Sequence, residues 1–438
     1  MSDGSGSPTG PKRLSGSKLA LQVRRRNVIQ GAWFAIKRNA RTSKSEDTKK
    51  EIGAFEANLS TNLQRLSRQL QQNKFVFPPA RGVKIPKDKK DKSNFRPLVV
   101  TKVESRIVQR AVHDVLVSVP AIQKFVHTPY SFGGIKKKKD DDMAAVPAAI
   151  KAVLDAIGSG CKFVIRSDIA KFFTRIPKSS VTVIVAKAVN DQEFVDLFVR
   201  AITVELENMS QLREQANAFP IEDIGVAQGN SLSPLLGNLI LYEFDLELNK
   251  RPDVRCIRYI DDFIILAPSK EIAENTFAKA QHMLQNLGMS ISPDKTQRAA
   301  TEDVFEFLGI ELANGFIRPC KKAQERVLAS IESTLAESRE AFREHRKTKK
   351  LTNALSLLES LGRVRGVMQG WGKHYRFCND TKCFEHLDQR VLTLIRNYLG
   401  GYRQERGKTD DAGRWRLLGI EALAQIAREP FVWPKKKS

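Results

Sequence analysis

The chain has 438 residues, and its 73 lysines and arginines against 49 aspartates and glutamates give a formal net charge of +24. This length is enough for a sizeable core and two or three subdomains. The positive excess favours a polyanionic partner, nucleic acid before a membrane surface, over a merely soluble charged exterior. No apolar stretch is long enough to span a bilayer and no signal-peptide pattern begins the chain, so we expect a cytoplasmic protein whose five scattered cysteines are reduced.

The N-terminal third combines basic helical sequence with polar segments. Residues 1–20 are rich in Gly, Ser and Pro and predict a disordered tail, after which basic helical sequence begins. The Pro- and Lys-rich stretch 80–93 predicts an exposed loop. Apolar residues at helical spacing predict a core-facing helix over 104–119. The charge run at 136–142 predicts a solvated loop.

The centre of the chain carries the strand signals. The segment CKFVIRSDI (161–169) predicts a strand, and Ser269 is a candidate N-cap for a helix that ends at Gly288. After about Cys320 these signals fade and long basic helical patterns follow. The pattern predicts a mixed α/β centre with basic helices on both flanks.

Two adjacent aspartates interrupt the apolar run RYIDDFIIL (258–266). Like charges in a low-dielectric setting raise each other's pKa and require compensation, most simply by a divalent cation. The flanking runs predict a hairpin that projects Asp261 and Asp262, and Asp168 ends the strand FVIRSD. If these strands are neighbours, three carboxylates converge on a two-metal site for nucleotidyl transfer. The alternative is a strand cap and a surface turn, although no Gly or Asn accompanies the pair.

Six sequence blocks occur along the chain in the order that is typical of the reverse transcriptases, and together they resemble that family. The blocks are FRPLVVTKVESRIVQRAV (95–112), SDIAKFFTRI (167–176), AQGNSLSPLLGNLIL (227–241), YIDDF (259–263), SPDKT (292–296) and FLGI (307–310). The narrower resemblance is to the bacterial group II intron-like branch, and it covers roughly residues 50–400. It implies an α+β right-hand polymerase fold with fingers, a ferredoxin-like palm that carries the metal-binding aspartates, and a helical thumb.

On this resemblance the chain divides into five parts. They are a disordered tail (1–20), the N-terminal basic helices and fingers (21–160), the palm with part of the fingers (161–319), a helical thumb or maturase-like region (320–400) and a basic C-terminal extension (401–438).

The resemblance also assigns metal-binding and catalytic roles. Asp168, Asp261 and Asp262 would be the catalytic residues. Together with Ile169 they would bind two Mg²⁺ ions, for which Mn²⁺ could substitute.

Five further residues would contact the incoming nucleotide. Arg96 would reach the triphosphate, Lys295 would lie near the leaving pyrophosphate, and Phe173 would lie beneath the sugar and exclude a 2′-hydroxyl. Gln228 and Gly229 would form the nucleotide-binding turn. Each assignment has a structural alternative. Arg96 could be a solvated surface residue, Lys295 a loop lysine of no special role, and Phe173 a core residue. The Gln228–Gly229 turn could be an ordinary loop that leads into a helix.

The segment RVRGVMQGWGKHYRFCN (363–379) resembles the thumb or maturase helices of group II intron proteins. Its basic side chains could contact phosphates along a template–primer duplex; they are Arg363, Arg365, Lys373 and Arg376. For the aromatic residues among them, a place in the helical core is the preferred interpretation; they are Trp371, His374 and Tyr375.

The activity that the resemblance implies is RNA-directed DNA polymerisation, with an RNA template, a DNA or RNA primer and dNTPs as partners. One role is a stand-alone enzyme that copies a dedicated non-coding RNA in antiphage defence, which the lack of an HNH-like extension favours. The alternative is a group II intron maturase that acts mainly as an RNA-binding splicing factor. A catalytically idle RNA-binding protein is disfavoured by the intact aspartates. The template, the priming mode and the oligomeric state stay open.

Overall fold

The computed structural model describes residues 19–43, 45–86, 95–134 and 143–433. The chain divides into two compact units, with the boundary between Ala300 and Thr301. Nearly all of the predicted tail and the whole charge run at 136–142 lie outside the described residues. The five cysteines, all of them described, form no disulfide.

Thirteen α-helices form in the described part of the first unit. They are α1 (Leu19–Val23), α2 (Arg26–Ala40), α3 (Glu46–Ala57), α4 (Leu59–Gln71), α5 (Val103–Leu116), α6 (Pro120–Val126), α7 (Ala145–Gly158), α8 (Lys178–Val189), α9 (Gln192–Ile202), α10 (Met209–Leu212), α11 (Ser233–Ile240), α12 (Tyr242–Leu248) and α13 (Lys270–Asn286). The predicted core-facing helix is α5, which packs against α2 and α9 because its apolar residues recur on one face and are buried.

A two-stranded antiparallel ribbon follows α4 and consists of β1 (Arg81–Pro86) and β2 (Phe95–Val100). The prediction of a loop over 80–93 is therefore wrong for 81–86. Most side chains of β1 are exposed. An exposed strand of this kind is rich in polar residues, so its composition resembles that of a loop. The strand is anchored at Gly82, where a Cβ atom would lie 2.7 Å from the Leu212 side chain.

The first unit also contains a four-stranded antiparallel sheet in the order β4-β5-β3-β6. Its strands are β3 (Phe163–Asp168), β4 (Arg255–Tyr259), β5 (Asp262–Ala267) and β6 (Gln297–Ala300). Helix α13 packs on β3 and β5 and, as predicted, begins after Ser269, whose hydroxyl accepts a hydrogen bond from the Ile272 N–H at 3.3 Å. Residues 263–267 of β5 are all buried, which fits a central strand covered on both faces.

The second unit begins with a three-stranded antiparallel sheet and continues as helices. Its elements are β7 (Phe305–Phe307), β8 (Ile310–Ala313), β9 (Phe316–Pro319), α14 (Lys321–Thr348), α15 (Leu357–Tyr375), α16 (Thr381–Gly407) and α17 (Asp411–Leu418). The apolar face of α14 packs against α15 and α16, and the buried Tyr398 hydroxyl lies 2.8 Å from Ser338 Oγ.

The predicted mixture of helix and sheet is confirmed, as is the change to helices near Cys320. No helix in the described ranges is both long and apolar enough to cross a membrane.

Candidate active site

Three aspartates lie at one end of the four-stranded sheet. Asp168 is the last residue of β3 and Asp262 the first of β5, and the strand register pairs them directly. Asp261 precedes Asp262, and its carbonyl accepts a hydrogen bond from the Ile169 N–H at 3.0 Å. The structure therefore brings together the carboxylates that the sequence analysis singled out.

The β4–β5 connection is the predicted hairpin, and it is tight. Tyr259 pairs with Asp262, so Ile260 and Asp261 alone form the loop between them. Ile260 has φ +62°, a left-handed conformation that is unfavourable for a β-branched residue. Such strain persists only where the surroundings hold it in place, and it is frequent at functional sites.

Burial and crowding of negative charge dominate the electrostatics of this sheet end. Burial raises the pKa of Asp261 to about 6, and the negative charges of Asp168 and Asp262 add to the effect. Burial also raises the pKa of Asp262, which the Arg166 guanidinium opposes. The site therefore holds more negative charge than its surroundings stabilise, which favours a bound cation.

Two basic side chains already pair with these carboxylates. Arg166 Nη2 lies 3.1 Å from Asp262 Oδ1, and Lys295 Nζ lies 2.7 Å from Asp168 Oδ2. The Ser292 hydroxyl donates to the same Asp168 oxygen at 3.1 Å. The sequence analysis did not single out Arg166 or Ser292. Arg166 could have been found, because it stands two residues before Asp168 and so lies on the same face of β3.

The aspartates suit a hard divalent cation in ligand type, since carboxylate oxygens are the ligands that Mg²⁺ and Mn²⁺ prefer. Among the described residues, however, no three His, Cys, Asp or Glu side chains are grouped so that they could hold one metal ion. Asp168 and Asp262 are engaged by Lys295 and Arg166 instead. The side chain of Ile169 is fully buried, so only its backbone could contact a metal. The two-metal site stays a prediction.

The predicted nucleotide-binding turn packs against β2. The Val99 N–H donates to the Gln228 carbonyl at 3.4 Å, and Leu98 forms a bridge with Gln228. Gly229 has φ +102°, a conformation that glycine adopts at no steric cost. Arg96 is exposed two residues before Leu98, on the same face of the ribbon. Three of the predicted nucleotide contacts thus share one neighbourhood.

The two adjacent phenylalanines, Phe172 and Phe173, differ in burial. They open a short 3-10 helix (Phe172–Arg175), and Phe172 is 2% exposed. The Phe172 ring fills the space beside Gly237, where a Cβ atom would lie 2.7 Å from it. Phe173 is half-buried against the core and keeps part of its ring accessible. Phe172 is therefore a core residue, while Phe173 retains surface for a ligand.

The basic residues predicted to contact a duplex are exposed on or just after α15; they are Arg363, Arg365, Lys373 and Arg376. Trp371 and Tyr375 pack together with ring centroids 4.5 Å apart. Tyr375 is buried, which confirms the core prediction for it, whereas Trp371 is half-buried against the core of the second unit. The core prediction is wrong for His374, which is exposed because it directly precedes Tyr375 and so projects from another side of the helix.

Comparison with known proteins identifies the family. The sequence profile described as Reverse transcriptase (RNA-dependent DNA polymerase) matches residues 85–312, more than half of the chain. Protein YkfC of Escherichia coli K12 is 26% identical over 337 aligned positions, and the match covers 67% of this chain and 84% of YkfC. The putative COX1/OXI3 intron 2 protein of Saccharomyces cerevisiae is 22% identical over 323 aligned positions, and the match covers 61% of this chain and 35% of the yeast protein.

Among solved structures, a partial Cas6-RT-Cas1–Cas2 complex matches with a TM-score of 0.35 and 20% identity, covering 62% of this chain and 43% of that one. A TM-score in this range does not establish a common overall fold. The profile match rests on the sequence and spans the paired aspartates, the Gln228–Gly229 turn and Lys295. The chain therefore belongs to the reverse transcriptase family of RNA-dependent DNA polymerases.

Proposed function

We propose that this protein extends a DNA or RNA primer with dNTPs on an RNA template, and that Asp168, Asp261 and Asp262 form its catalytic centre. The observation that carries the proposal is the direct pairing of Asp168 with Asp262 across β3 and β5, with Asp261 beside them. Nucleotidyl transfer in a family of RNA-dependent DNA polymerases uses clustered carboxylates that bind metal ions. The negative charges of the three aspartates repel one another, and a bound cation would relieve this repulsion.

In this proposal the three aspartates, with the backbone of Ile169, would hold two Mg²⁺ or Mn²⁺ ions. When bound, these ions supply charge neutralisation and activation of the attacking hydroxyl. Lys295 is 59% exposed and its ammonium already neutralises one carboxylate, so it is suited to attract phosphate oxygens.

The remaining nucleotide contacts follow from the ribbon and the turn that packs on it. Arg96 would bind triphosphate oxygens with its guanidinium fork, and Gln228 and Gly229 would approach the nucleotide from the turn. Phe173 would contact the sugar through the accessible part of its ring.

The right-hand layout is part of the proposal. The four-stranded sheet with α13 would be the ferredoxin-like palm, the β1–β2 ribbon with the N-terminal helices would belong to the fingers, and α14–α16 would form the thumb. The antiparallel order of the sheet and the helical content of the second unit support this assignment.

The biological role concerns the choice of template. Our proposal is a cytoplasmic enzyme that copies a dedicated non-coding RNA in antiphage defence, an interpretation that rests on the motif resemblance. The second candidate is an intron maturase, which the 22% identity to the yeast intron 2 protein favours. Sequencing the RNA that copurifies with the protein separates the two. If the copurifying RNA contains flanking intron domains, the maturase role is supported. If it is a single structured RNA from elsewhere, the defence role is supported.

The activity itself is tested by primer extension with purified protein, an RNA template annealed to a DNA primer, dNTPs and Mg²⁺. We expect a complementary DNA product that disappears when Mg²⁺ is chelated. Asp168→Ala should remove the product at unchanged RNA affinity. Product from the variant at the wild-type rate would contradict the assignment of the catalytic centre.

A further inference from the structure

A fully buried arginine stands beside the carboxylate hairpin. Arg258 is 0% exposed in the middle of β4, and its guanidinium forms a two-pronged ion pair with Asp245 of α12, itself 1% exposed. Arg258 Nε lies 2.7 Å from Asp245 Oδ1 and Nη2 lies 2.5 Å from Oδ2. Replacing a buried ion pair by apolar residues is often neutral or stabilising, so fold stability alone is a weak reason for this one.

The third arm of the guanidinium reaches the hairpin loop. Arg258 Nη1 donates to the Ile260 carbonyl at 2.9 Å and to Asn238 Oδ1 at 3.1 Å. Ile260 is the residue with the strained left-handed φ, and its carbonyl belongs to the peptide unit that leads into Asp261. Because the carbonyl of Asp261 accepts from the Ile169 N–H, the backbone of Asp261 is held on both sides.

A neighbouring segment closes the network around the same loop. Asn238 Nδ2 donates to the Gly133 carbonyl at 3.1 Å. A Cβ atom at Gly133 would lie 2.6 Å from the Ile260 backbone nitrogen, so only glycine allows this approach. Arg258 also exchanges backbone hydrogen bonds with Tyr130 and Phe132 of this segment, at 2.8 and 2.9 Å.

We infer that Arg258, held by Asp245 and Asn238, is a positioning residue for the catalytic centre: it fixes the Ile260 carbonyl and thereby keeps Asp261 in the orientation in which it would bind the metal ion of the proposed site. This inference rests on the proposed function. Arg258 is buried away from substrate and acts only through the backbone of the loop. Partners that orient a metal ligand typically change metal affinity or activity by about 10- to 100-fold when removed.

The principal test is the double variant Arg258→Met/Asp245→Leu, which removes both buried charges together and avoids leaving one unpaired. The readout is Mn²⁺ binding to the protein alone by calorimetry, followed by the Mg²⁺ concentration for half-maximal primer extension. We expect about 10- to 100-fold weaker Mn²⁺ binding and a rise of similar size in the Mg²⁺ requirement, at unchanged RNA affinity. The matched control is Arg251→Met, which breaks an exposed Arg–Asp pair at 2.7 Å before β4 and should leave both values unchanged.

A rescue variant separates loop positioning from general packing. Adding Ile260→Asn to the double variant makes the left-handed conformation less costly, because asparagine tolerates it far better than a β-branched residue. We expect Mn²⁺ affinity to recover by several-fold. Arg258→Lys keeps the charge but loses the fork, so it should weaken Mn²⁺ binding as the double variant does.

The outcomes distinguish this inference from the proposed function. If Asp261→Ala abolishes Mn²⁺ binding but the folded Arg258 variants bind Mn²⁺ as tightly as wild type, the positioning role is wrong and the catalytic centre stands. If Asp261→Ala leaves Mn²⁺ binding and extension unchanged, the proposed catalytic centre itself is wrong. Loss of the folded state in both Arg258 variants, judged by circular dichroism, would make Arg258 a stabilising residue of the fold and overturn the positioning role.

Discussion

Asp261 combines three costs at one residue. It follows an isoleucine in a left-handed conformation, it is half-buried, and it lies beside two further carboxylates. A folded state without a bound cation has to bear these costs, so the site is expected to reduce stability in exchange for function.

The raised pKa of Asp261 gives this cost a pH dependence. The folded carboxyl titrates at about 6 against an ordinary value of 3.8, so between these values the folded state binds more protons than the unfolded state. The contribution of Asp261 to the stability of the metal-free protein should therefore fall as pH rises from 4 to 7. At pH 7 the free energy of unfolding of Asp261→Asn should exceed that of wild type by about 2 kcal/mol. At pH 4 the variant should show no such gain in stability.

The measurement is urea unfolding of both proteins at the two pH values in the presence of EDTA. Equal gains at pH 4 and pH 7 would mean that burial of the charge is not the cause.

Phe173 and Phe172 offer a matched pair for the sugar contact. If Phe173 excludes the 2′-hydroxyl, Phe173→Ala should raise incorporation of rNTPs relative to dNTPs by at least severalfold while the Mg²⁺ dependence persists. Phe172→Ala should instead cost about 3–5 kcal/mol of stability, because its ring is buried beside Gly237, and leave the rNTP/dNTP ratio unchanged. An rNTP/dNTP ratio that Phe173→Ala does not alter would return Phe173 to a purely structural role.

Among the helices and strands, the residue pattern predicted best those whose buried residues recur at regular spacing. The strand of Asp168, the hairpin of Asp261 and the helix after Ser269 follow from apolar runs, a charged interruption and a capping serine. Strand β1 was missed because its exposed side chains resemble a loop, and because the residue that anchors it at Gly82, Leu212, lies far away in the sequence. The ion pairs of Arg166 and Arg258 were missed for a related reason, since their partners come from other elements.

Contact with nucleic acid can be tested at helix α15. The four exposed basic residues on or just after this helix should each contribute to phosphate binding, so neutralising Arg363, Arg365, Lys373 and Arg376 together should weaken RNA binding. The slope of log affinity against log salt should fall by about one unit for each lost contact. Fluorescence anisotropy at several salt concentrations measures both effects.

A matched control neutralises four exposed lysines of the first unit: Lys151, Lys187, Lys250 and Lys279. It removes the same charge and should change the salt slope much less. Equal effects of the two sets would mean that net charge alone, and not α15, governs binding.

For the whole molecule, the net charge of +24 and the family agree on a nucleic-acid partner. The class of enzyme could be predicted because six sequence blocks occur together in the order that is specific to the family. The choice of RNA could not, since it depends on surface shape and on an RNA whose sequence the protein chain does not contain.

At the scale of the whole protein, we propose that the carboxylates at the sheet end perform catalysis while other surfaces bind RNA. The most direct measurement compares Asp261→Ala/Asp262→Ala with wild type for RNA binding and for primer extension on the same template, each at two salt concentrations. We expect extension to be lost at both concentrations while RNA affinity and its salt dependence stay near the wild-type values. Extension at the wild-type rate by a folded double variant, or a loss of RNA binding that parallels the loss of extension, would contradict the account.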